Sequence, residues 1–128
     1  MLVLGDLTLA HDIGGLLATR RLGIKLTIVL INNDGGGIFN FLPVSSQGET
    51  FEQHIATPAG LDFTHAAALY GCRHQLVSSV DDFVGALMTA SSVGDTTIIE
   101  VRTERVANRR LHADVETAAL AALARPDA

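Results

Sequence analysis

Apolar residues in this chain gather into short continuous runs separated by stretches with helical spacing. This is the pattern of strands buried on both faces alternating with amphipathic helices. Met1 to Leu4 is one such run, stopped by Gly5-Asp6, which reads as a turn after a strand. From Thr8 the residues Leu9, Ile13, Leu16 and Leu17 recur at three-to-four spacing up to Arg20-Arg21, and Gly23 stands where a helix C-cap belongs, predicting a helix over about Thr8 to Leu22. Lys25 to Ile31 predicts a second strand. Strand, helix and strand this close together form a βαβ unit, which implies a parallel sheet with right-handed crossovers.

Between Asn32 and Pro58 the periodicity lapses into a polar, Gly-rich excursion of the kind that carries function in compact domains. Regular structure resumes with a helix from Phe63 to Tyr70, closed by Gly71, and a third strand from Gln75 to Ser78. Ser79 and Asp81-Asp82 open another helix to about Ser91, with the acidic pair read as a cap that complements the helix dipole. Thr96 to Arg102 is a fourth strand, and Asp114 to Ala124 a terminal helix. The alternation predicts an α/β fold, an open, mostly parallel sheet with helices on both faces, in which ligands bind at the carboxyl ends of the strands.

Composition narrows the possibilities. With 128 residues, 48% hydrophobic and 18% charged, the chain has one domain's worth of core and is not disordered. A net charge of -5 with 9 basic residues, never clustered beyond Arg109-Arg110, argues against a nucleic-acid partner. Cys72 stands alone, so no internal disulfide forms; it reads as a small buried hydrophobe in a reducing compartment. The run from Leu26 to Ile31 is too short to span a bilayer and Met1 to Asp6 lacks the features of a signal peptide, so the expected location is the cytoplasm.

Two candidate sites stand at predicted strand ends, Gly5-Asp6 and Asn32 to Gly37, with the 24 residues from 8 to 31 between Leu7 and Asn32. Consecutive parallel strands place them side by side. Asp6 offers a hard anionic oxygen, Asn33 an amide oxygen and the glycine turn a backbone carbonyl, a set suited to Mg²⁺ that keeps ligand phosphates and water. The helix expected from Thr8 aims its N–H groups at the same place, as anion binding requires. Either motif alone is also an ordinary turn. His11 reads as packing or capping, and His54 and His65 lack metal-type spacing to partners. Arg20, Arg21 and Lys25 fall at the wrong end of their elements and read as solvated surface.

Taken together, Gly5-Asp6-Leu7 and Asn32-Asn33 at this spacing resemble the fingerprint of thiamine-diphosphate enzymes, although Leu7 replaces the usual third-position Gly. Gly5-Asp6-Leu7-Thr8, His11-Asp12, Gly15-Leu16-Leu17, Asn32 to Phe39, Phe41-Leu42-Pro43, Phe51-Glu52 and Thr57-Pro58 to Tyr70-Gly71 narrow the resemblance. They are similar to the branch of that family that works in menaquinone biosynthesis, closely from Leu2 to about Tyr70 and loosely thereafter. The resemblance implies a Mg²⁺ (or Mn²⁺) site of Asp6, Asn33 and the Gly35 carbonyl, and contacts to thiamine diphosphate from Gly5, Asp6, Leu7, Thr8, Asn33, Gly35, Gly37, Ile38 and Phe39. Ile38, Phe39 and Leu42 would wall the substrate pocket. It further implies decarboxylation of 2-oxoglutarate and addition of the resulting succinyl carbanion to isochorismate, in a homodimer or homotetramer. The activating glutamate is expected on a separate pyrimidine domain, so no catalytic residue is expected in residues 1–128, which would be the C-terminal part of a diphosphate-binding domain lacking its first strands. Met1 then looks like a truncation point, with the chain alone inactive and its apolar sheet edge bare or covered by another copy. By position alone, Arg105, Arg109 and Arg110 follow the last strand, within reach of a neighbouring subunit, and no site role is assigned to them. The alternatives are another carboligase or decarboxylase of the family, acetolactate-synthase-like, and a non-catalytic diphosphate-binding or oligomerisation module.

Overall fold

In the structure, a computed structural model that describes residues 1–124, four strands form one sheet: β1 (Leu2–Gly5), β2 (Thr27–Asn32), β3 (Arg73–Val77) and β4 (Thr97–Arg102). Their order is β1-β2-β4-β3 and every pairing is parallel, so the expected open α/β sheet is present and its described strands are parallel throughout. The helices are α1 (Asp6–His11), α2 (Leu16–Leu22), α3 (Glu49–Phe51), α4 (Phe63–Tyr70), α5 (Val80–Ser92) and α6 (Arg105–Leu123). From β1 to β2 to β3 the chain advances across the sheet, with α1, α2 and α4 on one face; from β3 to β4 it steps back, with α5 on the other. Right-handed crossovers require this reversal of face when the direction of travel reverses.

Strand alternation builds two cores. Ile28, Leu30 and Ile98 meet Leu9, Leu16, Phe63 and Ala67 on the first face, and Ile99 and Val77 meet Ala86 and Ala90 on the second. Asp62, Ser79 and Glu104 cap α4, α5 and α6 with side-chain oxygens on first-turn amides. The Asp81-Asp82 pair lies in the first turn of α5 as expected. Cys72 is half-buried, and burial pushes its thiol up against the opposing effect of a hydrogen bond with Thr19, consistent with a packing role.

Several boundaries differ from expectation, among them β2, which runs Thr27–Asn32 instead of the expected Lys25 to Ile31. The first helix begins at Asp6, directly at the end of β1, and it breaks into a 3₁₀ turn at Ile13–Gly15, because the Gly14-Gly15 pair does not sustain an α-helix. β3 starts at Arg73, whose register partner is Thr97; pairing with β4 overrides a polar sequence. The last helix begins at Arg105 instead of Asp114: it has no buried residue, so no apolar stripe marks it. The excursion from Asn32 is folded into 3₁₀ turns at Gly37–Phe41 and Pro43–Gln47, α3, and a π turn at Glu52–Ala56, anchored by buried Phe51 and Ala56.

β1 forms the sheet edge. Its outer side pairs with no described strand, Leu2 and Val3 are exposed, and a groove of about 690 Å³ runs along it between Leu4, Leu9, Leu16 and Ile28. Among the described residues no helix is long and apolar enough to cross a membrane.

Candidate functional site

The register Gly5↔Ile31 brings the carboxyl ends of β1 and β2 level, so Asp6 and the Asn32–Gly37 turn meet. Asp6 is 6% exposed, and its Oδ2 accepts the Gly35 N–H at 2.8 Å. Asp6 Oδ1 and the Gly35 carbonyl oxygen face the Asn33 amide oxygen at 3.3 and 2.7 Å. Three oxygens aimed at one another repel unless something positive lies among them. Turning the amide over puts its NH₂ there, donating to both neighbours; a cation does the same service with the oxygen inward. One carboxylate, one amide oxygen and one carbonyl make a hard, partly filled donor set, which suits Mg²⁺ and leaves room for phosphate and water. The residues present therefore fit the metal that the sequence resemblance implies.

The glycines of this turn are fixed by crowding. Gly35 has φ +125, and a Cβ there would lie 2.3 Å from the Ala56 carbonyl oxygen; a Cβ on Gly37 would lie 2.3 Å from Asn33 Nδ2. The Gly36 N–H donates to that same Ala56 carbonyl at 2.7 Å, locking the turn to the π segment. Asp34, at φ +55, accepts the Ala59 and Gly60 N–H groups at 3.1 and 2.8 Å, so it is a strut of the loop.

The remaining predicted residues are placed as follows. Gly5 ends β1 in extended backbone, where an added Cβ would come no nearer than 3.9 Å to the Ile31 carbonyl oxygen. Leu7 is half-buried and Thr8 exposed in the first turn of α1, whose leading amides have no partner within the helix. Ile38, Phe39 and Leu42 follow the Asn32–Gly37 turn and are 73%, 37% and 49% exposed, an apolar wall that the core does not use. His11, expected to pack or cap, is exposed in the last turn of α1. Arg20, Arg21 and Lys25 are exposed at the opposite end of the sheet, as expected. Arg105 turns inward: its Nη2 donates to Glu52 Oε2 at 2.7 Å, and its side chain is 14% exposed. Arg109 lies over the Phe41 ring, which also meets His112 edge-on at 5.1 Å, so α6 braces the 3₁₀ turn that carries Ile38 and Phe39.

Sequence reasoning missed a buried carboxylate beside this site. Glu100, 1% exposed in the centre of β4, accepts from Asn32 Nδ2 at 2.8 Å and Arg102 Nε at 2.9 Å through Oε1, and its Oε2 lies 2.7 Å from His74 Nε2. Burial pushes its carboxyl up, but hydrogen bonds from Arg102, Asn32 and His74 and the Arg102 charge outweigh that and hold it below the usual carboxylate range. A charged residue inside the apolar run Thr96 to Val101 was the available signal.

The family model described as "Thiamine pyrophosphate enzyme, C-terminal TPP binding domain" matches residues 1–101. Over 119 residues the chain is 47% identical to the 2-succinyl-5-enolpyruvyl-6-hydroxy-3-cyclohexene-1-carboxylate synthase of Bacillus velezensis, a match covering 93% of this chain and 21% of the relative. The synthase of the same name from Roseiflexus castenholzii is 45% identical over 80% of this chain and 18% of its own. Among solved structures, a thiamine diphosphate-dependent 4-hydroxybenzoylformate decarboxylase of Rhodococcus jostii RHA1 superposes with a TM-score of 0.68 at 30% identity, covering 80% of this chain and 19% of the other. The chain thus spans about a fifth of the length of the curated relatives it matches.

Proposed function

This chain belongs to the thiamine pyrophosphate enzymes, as their C-terminal TPP-binding domain, and from that premise we propose that it holds the diphosphate end of the cofactor through a Mg²⁺ or Mn²⁺ ion bound by Asp6, Asn33 and the Gly35 carbonyl. The observation that carries the reading is the meeting of the Asp6 carboxylate, the Asn33 side-chain amide and the Gly35 carbonyl at the carboxyl ends of adjacent strands. The free amides of Leu7 and Thr8 at the start of α1 face the same end and receive phosphate oxygens. Gly37 leaves room for the Asn33 side chain against the turn, Gly5 offers its backbone at the end of β1, and Ile38, Phe39 and Leu42 exclude water beside the cofactor ring and the substrate.

When bound, thiamine diphosphate supplies the electron sink for decarboxylating a 2-oxo acid. The residues of this chain bind and orient it; the activating glutamate is assigned to a pyrimidine domain outside residues 1–128, as part of a longer homo-oligomeric enzyme in the cytoplasm. The identities of 47% and 45% favour the branch that joins 2-oxoglutarate to isochorismate. The superposition on a 4-hydroxybenzoylformate decarboxylase keeps simple decarboxylation as the second reading.

The test is turnover by the enzyme containing this chain, with Mg²⁺, thiamine diphosphate, 2-oxoglutarate and isochorismate, beside 2-oxoglutarate-free pyruvate and benzoylformate controls and an Asp6→Ala variant. Product from 2-oxoglutarate that disappears in Asp6→Ala supports the full reading. Reaction of only a control substrate overturns the substrate assignment, and an Asp6→Ala variant with wild-type metal dependence overturns the site.

A further inference from the structure

We propose that Glu100 is a positioning residue for the metal turn: across the sheet it clamps the Asn32 amide, and Asn32 in turn fixes the backbone that presents Asn33 and Gly35. This rests on the metal-site reading above.

Packing alone does not call for a carboxylate here. The register partners of Glu100 are Leu30 and Leu76, and on this face of β4 its neighbour is Ile98, so a leucine would continue the apolar rung. An ionised group that is only 1% exposed is costly unless its oxygens are satisfied. Glu100 meets that demand with partners from three strands: Asn32 on β2, His74 on β3 and Arg102 on β4 itself. His74 is nearly enclosed, its side chain 11% exposed, whereas Arg102 reaches into solvent.

The arm that matters for the site is Asn32, 68 residues away in sequence. Its amide is held at both ends: Nδ2 donates to Glu100, which obliges Oδ1 to face the turn, where it accepts the Asp34 N–H at 3.1 Å. Asp34 sits at φ +55, a conformation unfavourable for a residue with a side chain, and the next amide, Gly35 N–H, is the one bound to Asp6. The two hydrogen bonds of Asn32 therefore hold the chain immediately before and after Asn33. Without Glu100 the Asn32 amide is free to turn over, which would present NH₂ to the Asp34 N–H and release the turn.

The experiment compares amide hydrogen exchange in wild type, Glu100→Ala, Glu100→Gln and Asn32→Ala, and in parallel Mn²⁺ affinity by water-proton relaxation with thiamine diphosphate present. Both alanine variants should speed exchange at Asp34 and Gly35 by about tenfold relative to the change at Ile98 and Ile99, and weaken Mn²⁺ by about tenfold. Glu100→Gln keeps an acceptor for Asn32 and should stay within about threefold of wild type in both. Uniform acceleration of all amides with unchanged Mn²⁺ affinity would show that Glu100 only fills the core, and would overturn the proposal. Asn32→Ala leaves the core intact and reads the same arm if Glu100→Ala does not fold. An Asp6→Ala control separates the two claims: loss of Mn²⁺ in Asp6→Ala but not in the Glu100 or Asn32 alanine variants sinks the positioning role alone, while Mn²⁺ binding unaffected by Asp6→Ala sinks the metal site, with the exchange data still deciding whether Glu100 holds the turn.

Discussion

Replacing Gly35 by alanine sets a side chain where the fold has no space for one, and its cost can be worked from two separate effects. The backbone stands at φ +125, a region that costs an L-residue about 1–3 kcal/mol. The new methyl would also lie 2.3 Å from the Ala56 carbonyl oxygen and 3.2 Å from its carbon, far inside contact, and overpacking of that kind costs about 1–3 kcal/mol. Relief by movement breaks the 2.7 Å bond from Gly36 N–H to Ala56 or the 2.8 Å bond from Gly35 N–H to Asp6, so the two effects do not cancel. The sum is about 2–6 kcal/mol. Gly23→Ala is the matched control: it has φ +62 and ψ +31 with no atom within 4 Å of the added carbon, so only the left-handed backbone counts, about 1–2 kcal/mol. For a domain of this size about 1 kcal/mol moves Tm by roughly 3–5 °C. Thermal and urea denaturation followed by circular dichroism should then show Gly35→Ala melting below Gly23→Ala, by about 8–12 °C at the midpoints of the two ranges. Equal melting temperatures would refute the account of the turn as a rigid, crowded cradle.

Ile38→Ala removes a side chain that is 73% exposed, so stability should stay within about 0.5 kcal/mol while turnover of the enzyme containing it falls; a large stability loss would mean the residue is core rather than pocket wall. Glu100 has its folded-state ionisation held below the ordinary carboxylate range, so its contribution is present above the unfolded value and lost as pH falls through the folded one. Glu100→Gln should therefore flatten the acid limb of a urea-midpoint profile, and identical limbs would contradict the ionised pairing. Phe63→Ala, at 2% exposure between the sheet and α4, should cost about 3–5 kcal/mol by equilibrium denaturation, or leave the chain unfolded. Val3→Lys places a charge on β1, whose outer side pairs with no described strand, and should lower self-association of this chain in sedimentation velocity; an unchanged distribution would show that the edge is not sticky.

Period and punctuation were enough to read the sheet: apolar runs such as Leu26 to Ile31 are long enough to declare strands, and Gly23 and Gly71 end their helices where the spacing stops. The candidate metal ligands were also legible, because Gly5-Asp6 and Asn32-Asn33 fall at consecutive strand ends and parallel topology makes such ends neighbours. Boundaries set by non-local pairing were not: Arg73 is a strand residue through β4, and α6 forms with no buried face, so neither leaves a local apolar signature. The tertiary structure alone decided that Asp34 is a strut and that Arg105 turns in to Glu52. It alone revealed that Glu100 reaches Asn32 from a strand 68 residues on. Each of these depends on where a side chain's partner sits after folding, and hydrogen bonds between distant residues have no period in sequence by which to be found.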